Sequence, residues 1–235
     1  MFSIGKIAAF TIFIIAAGQS YASERLPVLV ELFTSQGCSS CPPADAILGE
    51  MSKSVDVVAL AFHVDYWDYI GWKDSFAHPS FSKRQKRYAR LASRTAVYTP
   101  QFMVQGQESI AGSNLQELES AIARASQSKL GYKIKLGTEG DHVHVTLIEA
   151  RPVSRVQADV LAIHFSPQNK VAIQSGENSG RVINYSNVVT KVEKIGQWDG
   201  LKAWSKTIAQ RPDQNVAIIV QSKGQGKVIA VAKLQ

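Results

Sequence analysis

The sequence predicts an α/β domain in its first half and a β-rich domain in its second half. Strand and helix patterns alternate from about Leu26 to Gln127, and β-branched segments separated by turn residues follow from about Lys129. The only two cysteines, Cys38 and Cys41, stand just after the first apolar segment. Strand–helix–strand order implies a parallel sheet that is covered on both faces.

The N-terminal residues carry a targeting pattern. Lys6 precedes an apolar stretch over Ile7–Ala17, and Ser20-Tyr21-Ala22 offers a small-x-Ala cleavage site. The stretch has the length of a signal-peptide core and is shorter than the roughly 20 apolar residues of a membrane-spanning helix. We expect residues 1–22 to be a signal peptide, the alternative being a retained membrane anchor. The mature protein is then periplasmic or secreted, without stable membrane insertion.

Composition sets limits on the class of protein. The mature chain of roughly two hundred residues suits one large domain or two small ones, and an apolar content of 45% allows a packed core without cross-links. The net charge of +7 favours anionic neighbours such as envelope surfaces or acidic proteins. We expect no nucleic-acid binding, because the sequence has neither zinc-finger spacing nor a glycine-rich phosphate loop.

Apolar runs and periodicity predict the individual elements. In the first half they predict strands at Val28–Phe33, Val55–Val64 and Gln101–Gln105, and helices at Ala44–Met51, Phe81–Ser93 and Ser113–Ser126. In the second half they predict strands at Tyr132–Leu136, Val143–Ile148, Val160–Phe165, Val216–Val220 and Val228–Ala232, with a hairpin turn at Lys223–Gly226. The predicted domains are therefore residues 23–128 and residues 129–235, packed together.

The cysteine pair stands where thiol–disulfide chemistry requires it. At a helix N-terminus, unpaired N–H groups and the helix dipole stabilise a thiolate. Pro42 and Pro43 lack N–H groups and fit only the first helical turn, so they place the helix start beside the cysteines. A bridge that closes so short a loop stabilises the fold little. A structural disulfide and a pair that stays reduced remain the alternatives.

A second motif follows downstream. Thr99-Pro100 stands immediately before a short apolar strand, and Gln105-Gly106-Gln107 then makes a turn. Thioredoxin-fold proteins carry a cis-proline at this point, facing the cysteine pair, and the order of elements over residues 26–127 resembles that fold. Cys-x-x-Cys beside a βαβ pattern is a redox signal. The resemblance implies an α/β thioredoxin-like domain with an appended β-rich, sandwich-like domain. It also implies that Pro100 is cis and shapes a groove for the substrate backbone, with Thr99 beside it.

Three longer motifs point to one family. Leu32–Asp45, His63–Asp68 and Gly176–Arg181 are similar to the signature of domain-of-unknown-function family 1223. The similarity extends over almost the whole mature chain, and it implies exported thioredoxin-like proteins without an established reaction. By resemblance, Cys38 is the attacking thiol, nearer the helix N-terminus, and Cys41 is the buried resolving thiol.

Glu31 is the predicted proton-transfer group. Thioredoxins carry a buried acid on this strand, and Glu31 is similar in place, although the loop to Cys38 is one residue longer. A carboxylate within an apolar strand should have a raised pKa, which is useful for proton transfer near neutral pH. The alternative is an outward-facing, solvated charge. The lysine that pairs with this acid in thioredoxins is replaced here by Ala61.

The end of the second predicted strand offers further candidates. Ligands collect at the carboxyl ends of parallel strands, so Tyr66 and Trp67 are predicted to line a substrate groove, with core packing as the alternative. Cys38, Cys41 and His63 together would suit Cu(I) or zinc. A lone histidine is more often a hydrogen-bonded structural residue, and no other cofactor is expected.

These observations predict an exported thiol–disulfide oxidoreductase that acts on protein or small-molecule thiols and disulfides and needs a redox partner. The alternatives are a Cu(I)- or zinc-binding protein and a non-catalytic binding module. The basic segment Lys83–Arg90 is predicted to be a solvated helix face, or else a docking surface for an acidic partner. Gly176–Arg181 is predicted to be a structural loop, or else a wall of the substrate groove.

Overall fold

The computed structural model describes residues 26–127, 132–149 and 155–234, and the predicted signal peptide lies outside them. Within these ranges the strands are β1 Val28–Thr34, β2 Val57–His63, β3 Gln101–Val104, β4 Glu108–Ala111, β5 Tyr132–Glu139, β6 His142–Glu149, β7 Ala158–Ala172, β8 Val182–Trp198, β9 Trp204–Ala209, β10 Asn215–Ser222 and β11 Val228–Lys233. The helices are α1 Pro42–Met51, α2 Pro79–Leu91 and α3 Leu115–Ser126, with a 3₁₀ turn at Asp68–Ile70.

Strands from both halves of the chain share one mixed sheet. Its order is β11-β10-β7-β8-β2-β1-β3-β4, and a second sheet has the order β5-β6-β9. β1 and β2 are parallel, whereas β3 is antiparallel to β1. On the other edge of β2, β8 adds a short parallel pairing at Ala61 and Val188. This pairing covers the backbone groups that an edge strand would leave free.

The predicted fold class is therefore wrong. An α/β thioredoxin-like domain with an appended sandwich-like domain would need a sheet of its own in each half. Instead, four strands of the second half extend the sheet of the first, and the described residues contain only three α-helices. The predicted boundary between residues 128 and 129 lies outside the described residues.

Most of the predicted local elements are confirmed. α3 begins after Asn114, whose side chain accepts a hydrogen bond from the Glu117 N–H as a helix N-cap does. The predicted hairpin turn joins β10 to β11. The sequence patterns missed three strands, β4, β8 and β9. β8 is the consequential omission, because this 17-residue strand connects the two halves of the sheet.

The two faces of the central strands have different neighbours. On one face, Val30 and Leu32 of β1 pack with Ala44 and Leu48 of α1, together with α3. Because side chains alternate along a strand, Leu29 and Phe33 point to the other face. There they join a core with Phe81 and Tyr88 of α2 and with residues of β10 and β11. α1, which carries the cysteines, therefore lies on the opposite face from α2.

A separate core lies beneath the three-stranded sheet. Val143, Val145 and Leu147 of β6 pack against Ile218 of β10, among other residues. Tyr132 packs edge-on to Trp198 with a ring-centroid distance of 4.7 Å. No helix in the described part of the chain is both long enough and apolar enough to span a lipid bilayer.

Candidate functional site

Cys38 and Cys41 form a disulfide at the N-terminus of α1. Cys41 is the N-cap residue and the helix starts at Pro42, in agreement with the predicted role of the prolines. Cys38 is 2% exposed and Cys41 is 0% exposed. Ser39 and Ser40 between them are exposed, and Ser40 Oγ lies 3.4 Å from Cys38 Sγ. A reacting group would therefore approach the disulfide from the side of the two serines.

A side chain from the second half of the chain forms hydrogen bonds to the backbone of the cysteine loop. The buried Asn178 side chain donates 2.9 Å hydrogen bonds from Nδ2 to the carbonyl oxygens of Gln36 and Cys38. Arg181 in turn donates to Asn178 Oδ1 at 3.1 Å. These contacts agree with the prediction of a structural loop at Gly176–Arg181. The two hydrogen bonds that Asn178 donates join residues about 140 positions apart in the sequence, and no local pattern indicates them.

Trp67 connects the cysteine loop to the Thr99-Pro100 segment. Its indole Nε1 donates a 2.7 Å hydrogen bond to Thr99 Oγ1. A methyl group at Gly37 would lie 3.3 Å from Trp67 Cβ, so this glycine allows the loop to pack closely on the tryptophan. The Thr99–Pro100 peptide bond is cis, as the sequence predicts. The structure thus places Trp67 against the cysteine loop and links Thr99 to it through the indole, while the roles of Trp67, Thr99 and Pro100 in substrate binding remain predictions.

Tyr66 is tied to α2. Its hydroxyl donates a 3.1 Å hydrogen bond to Gln85 Oε1, and burial raises the pKa of Tyr66 to about 12. Beyond it, the ring of Trp67 stacks on that of Tyr69, which is 80% exposed. The aromatic surface beside the cysteine loop is therefore formed by Trp67 and Tyr69, and Tyr66 lies behind it.

Glu31 lies on the face of the sheet away from α1. It is fully buried, and its carboxylate accepts 2.6 Å hydrogen bonds from Arg84 Nε and the Tyr88 hydroxyl, both on α2. Arg84 belongs to the basic segment that was expected to be solvated, and it is 8% exposed. Arg84 of α2 is therefore the cation that pairs with Glu31, whereas Ala61 packs on the α1 face of the sheet. The proton-transfer role of Glu31 remains a prediction, but its position does not favour that role.

His63, unlike Glu31, points to the α1 face, at the C-terminal end of β2. Its Nδ1 lies 2.7 Å from Asp74 Oδ2, and both side chains are fully buried. Asp74 also accepts a hydrogen bond from the Gln36 N–H at 2.8 Å, next to the cysteine loop. The attraction of His63 and these hydrogen bonds hold the pKa of Asp74 below its usual value, against the effect of burial. This arrangement agrees with the structural alternative for His63.

No group of three or more histidine, cysteine, aspartate or glutamate side chains among the described residues is arranged to hold a metal ion. The predicted alternative site of Cys38, Cys41 and His63 is not formed. The two sulfurs are joined to each other, and His63 Nδ1 contacts Asp74.

Asp45 is the site residue that sequence reasoning missed. It lies on α1, one turn after Cys41, with its side chain buried against the sheet. Burial raises the pKa of Asp45 to about 7, although the attraction of His63 and the neighbouring Thr34 hydroxyl favour the charged form. Its spacing of four residues from Cys41 was a usable signal, because residues i and i+4 share one face of a helix.

The profile of a family described as "Protein of unknown function (DUF1223)" matches residues 29–221. The chain belongs to this family. The match confirms the family predicted from the three sequence motifs and brings no reaction with it. A comparison with curated proteins finds no match.

Two solved structures are similar to this chain. Protein AGR_C_4864 from Agrobacterium tumefaciens is 29% identical, with a TM-score of 0.79 over 91% of this chain and 96% of that chain. HBP35 of Porphyromonas gingivalis is 14% identical, with a TM-score of 0.62 over 89% of this chain and 75% of that chain. The first likeness extends over both predicted halves, which agrees with the shared sheet and contradicts the predicted fold class.

Proposed function

We propose that this protein is an exported thiol–disulfide oxidoreductase that acts through Cys38 and Cys41. The observation that carries the proposal is the disulfide at the N-terminus of α1, beside the exposed Ser39 and Ser40. Helix N-termini stabilise a thiolate, so reduction of this bond would yield a nucleophile at neutral pH.

The surroundings of the disulfide support an exchange-active bond over a structural staple. A bridge between residues three apart constrains the unfolded chain little. The loop is held instead by hydrogen bonds that Asn178 donates to it and that Asp74 accepts from the Gln36 N–H, none of which depends on the sulfurs. The loop can therefore keep its place whether the cysteines are oxidised or reduced.

The exchange proceeds in two substitutions at sulfur. A substrate thiolate attacks Cys38 Sγ, the Cys38–Cys41 bond breaks, and its electron pair leaves on the Cys41 sulfur. A second substrate thiolate then attacks the substrate sulfur of the mixed disulfide and displaces Cys38 as a thiolate. The substrate dithiol is oxidised to a disulfide and the protein is reduced to a dithiol. The reverse sequence reduces a substrate disulfide, and a redox partner restores the starting state.

The site suits a protein or peptide substrate as well as a small thiol. Trp67 and the exposed Tyr69 offer an aromatic surface on one side of the cysteine loop, and Thr99 accepts a hydrogen bond from the Trp67 indole. The N-terminal pattern over residues 1–22 supports a periplasmic or secreted location for this chemistry.

The first test is the reduction potential of the Cys38–Cys41 pair in the mature protein, measured by equilibration with glutathione buffers. We expect a potential between about −120 and −270 mV, the range of exchange-active dithiols. A value below about −300 mV would identify a bond that resists the glutathione pool and would contradict the proposal.

A pair of variants tests the assigned roles. The reduced Cys41→Ser protein should form a stable mixed disulfide with glutathione at Cys38, because no second thiol resolves it. The matched Cys38→Ser protein should form much less adduct, since Cys41 is fully buried. Equal adduct yields in the two variants would contradict the order of attack.

A further inference from the structure

We propose that Asp45 exchanges the proton of the Cys41 thiol during thiol–disulfide exchange, as the buried acid and base of this site. The inference rests on the proposed function, and it assigns the proton transfer to a helix residue on the α1 face of the sheet. It replaces Glu31 in that role.

Helix geometry places Asp45 next to Cys41. The Asp45 N–H donates to the Cys41 carbonyl oxygen at 3.1 Å, the helical i to i+4 bond. Side chains four residues apart on a helix are neighbours on one face, with about 5–6 Å between their Cβ atoms. Cys41 is 0% exposed and Asp45 is 4% exposed, so both side chains lie on the buried side of α1.

The Thr34 hydroxyl lies near enough to favour the Asp45 carboxylate, but no hydrogen bond of normal geometry occupies either carboxylate oxygen within the described residues. The same is true of Thr34 Oγ1, His63 Nε2 and the Tyr185 hydroxyl. Buried polar atoms are normally paired, and exceptions need an explanation such as a catalytic role. Four side chains with unpaired polar atoms, from β1, α1, β2 and β8, therefore lie in the buried region beneath α1.

Other ionisable groups that act on Asp45 come from the elements packed around it. They are Asp74, His63 of β2 and Tyr185 of β8. Burial is the largest effect and raises the pKa of Asp45 to about 7, with Asp74 acting in the same direction and His63 opposing it. Asp45 also lines a pocket of about 650 Å³ on the flank of α1, and Glu50, Lys53 and Arg181 are the other charged residues that line it. General acids and bases work best when their pKa lies near the working pH.

The proton balance of the reaction needs such a group. When a substrate thiolate opens the disulfide, Cys41 becomes a thiolate in a fully buried position, and burial without a partner disfavours that charge. The neutral Asp45 carboxyl gives its proton to Cys41 Sγ and becomes a carboxylate. In the reverse step the carboxylate takes the proton from the Cys41 thiol. The Cys41 thiolate then attacks Cys38 Sγ in the mixed disulfide, and the substrate leaves as a thiolate.

Glu31 is less suited to this task. It lies on the opposite face of the sheet, and both of its oxygens accept hydrogen bonds from α2. Taking up a proton there would break a buried ion pair with Arg84, and breaking such a pair is strongly unfavourable.

The test measures the resolving step directly. Reduced protein is mixed with oxidised glutathione and quenched in acid at successive times, and mass spectrometry follows the glutathione adduct on Cys38. We compare the unaltered protein with Asp45→Asn, and with the exposed Asp56→Asn as a matched control. In Asp45→Asn we expect adduct resolution to slow by on the order of 10²-fold, the lower end of general acid–base contributions. The unaltered protein and the control should show an inflection in the resolution rate near pH 7, which the Asp45→Asn variant should lose.

The outcomes separate the two proposals. If the unaltered protein forms neither adduct nor disulfide, the proposed function fails and this inference fails with it. If the unaltered protein resolves the adduct and Asp45→Asn does so at the same rate and with the same pH profile, only the role of Asp45 is refuted.

A second variant is used if Asp45→Asn does not fold, as judged by circular dichroism. His63→Gln should move the inflection to higher pH, because the attraction that favours the Asp45 carboxylate is removed. An inflection that stays in place in His63→Gln would refute the assignment.

Discussion

Glu31→Gln should destabilise the protein strongly, because it leaves a buried cation without its counter-charge. Glu31 is 0% exposed and Arg84 is 8% exposed, and two 2.6 Å hydrogen bonds reach the carboxylate. Removing one partner of a buried ion pair costs about 3–5 kcal/mol. That loss is a large share of the roughly 5–15 kcal/mol by which folded proteins are stable.

The expected loss corresponds to a decrease in Tm of about 6–20 °C for a chain of this size. The assay is urea unfolding of the oxidised protein at neutral pH, with the slope of the transition compared between variants. Glu50→Gln is the control, because the Glu50–Lys53 pair is exposed and such pairs contribute little.

The double variant Glu31→Leu/Arg84→Met checks the physical reason. Replacing both charges by apolar groups of similar volume should cost far less than the sum of the two single losses. Tyr88 would keep a partner there, since Gln221 Nε2 donates to its hydroxyl at 2.9 Å. A double variant as unstable as the sum, or a loss below about 1 kcal/mol in Glu31→Gln, would refute the reasoning.

Three further predictions concern the loop, the sheet and pH. Asn178→Ala should lower the free energy of unfolding by about 1–3 kcal/mol, because the buried Gln36 and Cys38 carbonyls each lose a 2.9 Å hydrogen bond. An unchanged midpoint in urea would contradict this. Gly196→Ala would place a methyl carbon 2.5 Å from Trp204 Cζ2, so it should lower the free energy of unfolding by about 1–3 kcal/mol and alter the tryptophan fluorescence. Gly137→Ala is the control and should change neither, because a methyl carbon there meets nothing within 4 Å. Folding raises the pKa of Asp45 from 3.8 to about 7, so the folded state binds this proton more tightly than the unfolded state does. The free energy of unfolding that Asp45 contributes at pH 4 is therefore lost as the pH rises to 7. This loss is about 4 kcal/mol. It is measured by comparing the free energy of unfolding of the unaltered protein and of Asp45→Asn at each pH, and parallel curves would contradict the prediction.

Much of the local structure was predictable because it depends on short-range patterns. The apolar run before Cys38 forms β1, and Pro42 and Pro43 place the start of α1 beside Cys41. β8 was missed because the alternation of apolar and polar residues over Ile183–Ser186 breaks at Asn187, so no single local pattern extends along the strand. Asn187, with a φ of 49°, also interrupts the extended backbone there. The long antiparallel pairing of β8 with β7 compensates for these weak local preferences.

The residues of the candidate site were predictable where a short sequence motif contains them. The cysteine pair and Thr99-Pro100 could be found because each is a recognisable pattern of adjacent or closely spaced residues. The partner of Glu31 could not be found in this way, because Arg84 lies 53 residues away within a segment of similar cations. Only the packing of α2 distinguishes this arginine from its exposed neighbours.

The sequence by itself determined the family, the cysteine pair and the position of that pair at a helix start. These properties follow from residue types and short spacings, which act before any tertiary contact forms. The tertiary structure alone decided which face of the sheet each acid occupies. It buries Asp45 under α1, near His63 and Tyr185, and pairs Glu31 with Arg84 on the other side. A charge depends on the solvent and partners around it, and residues distant in sequence supply those surroundings.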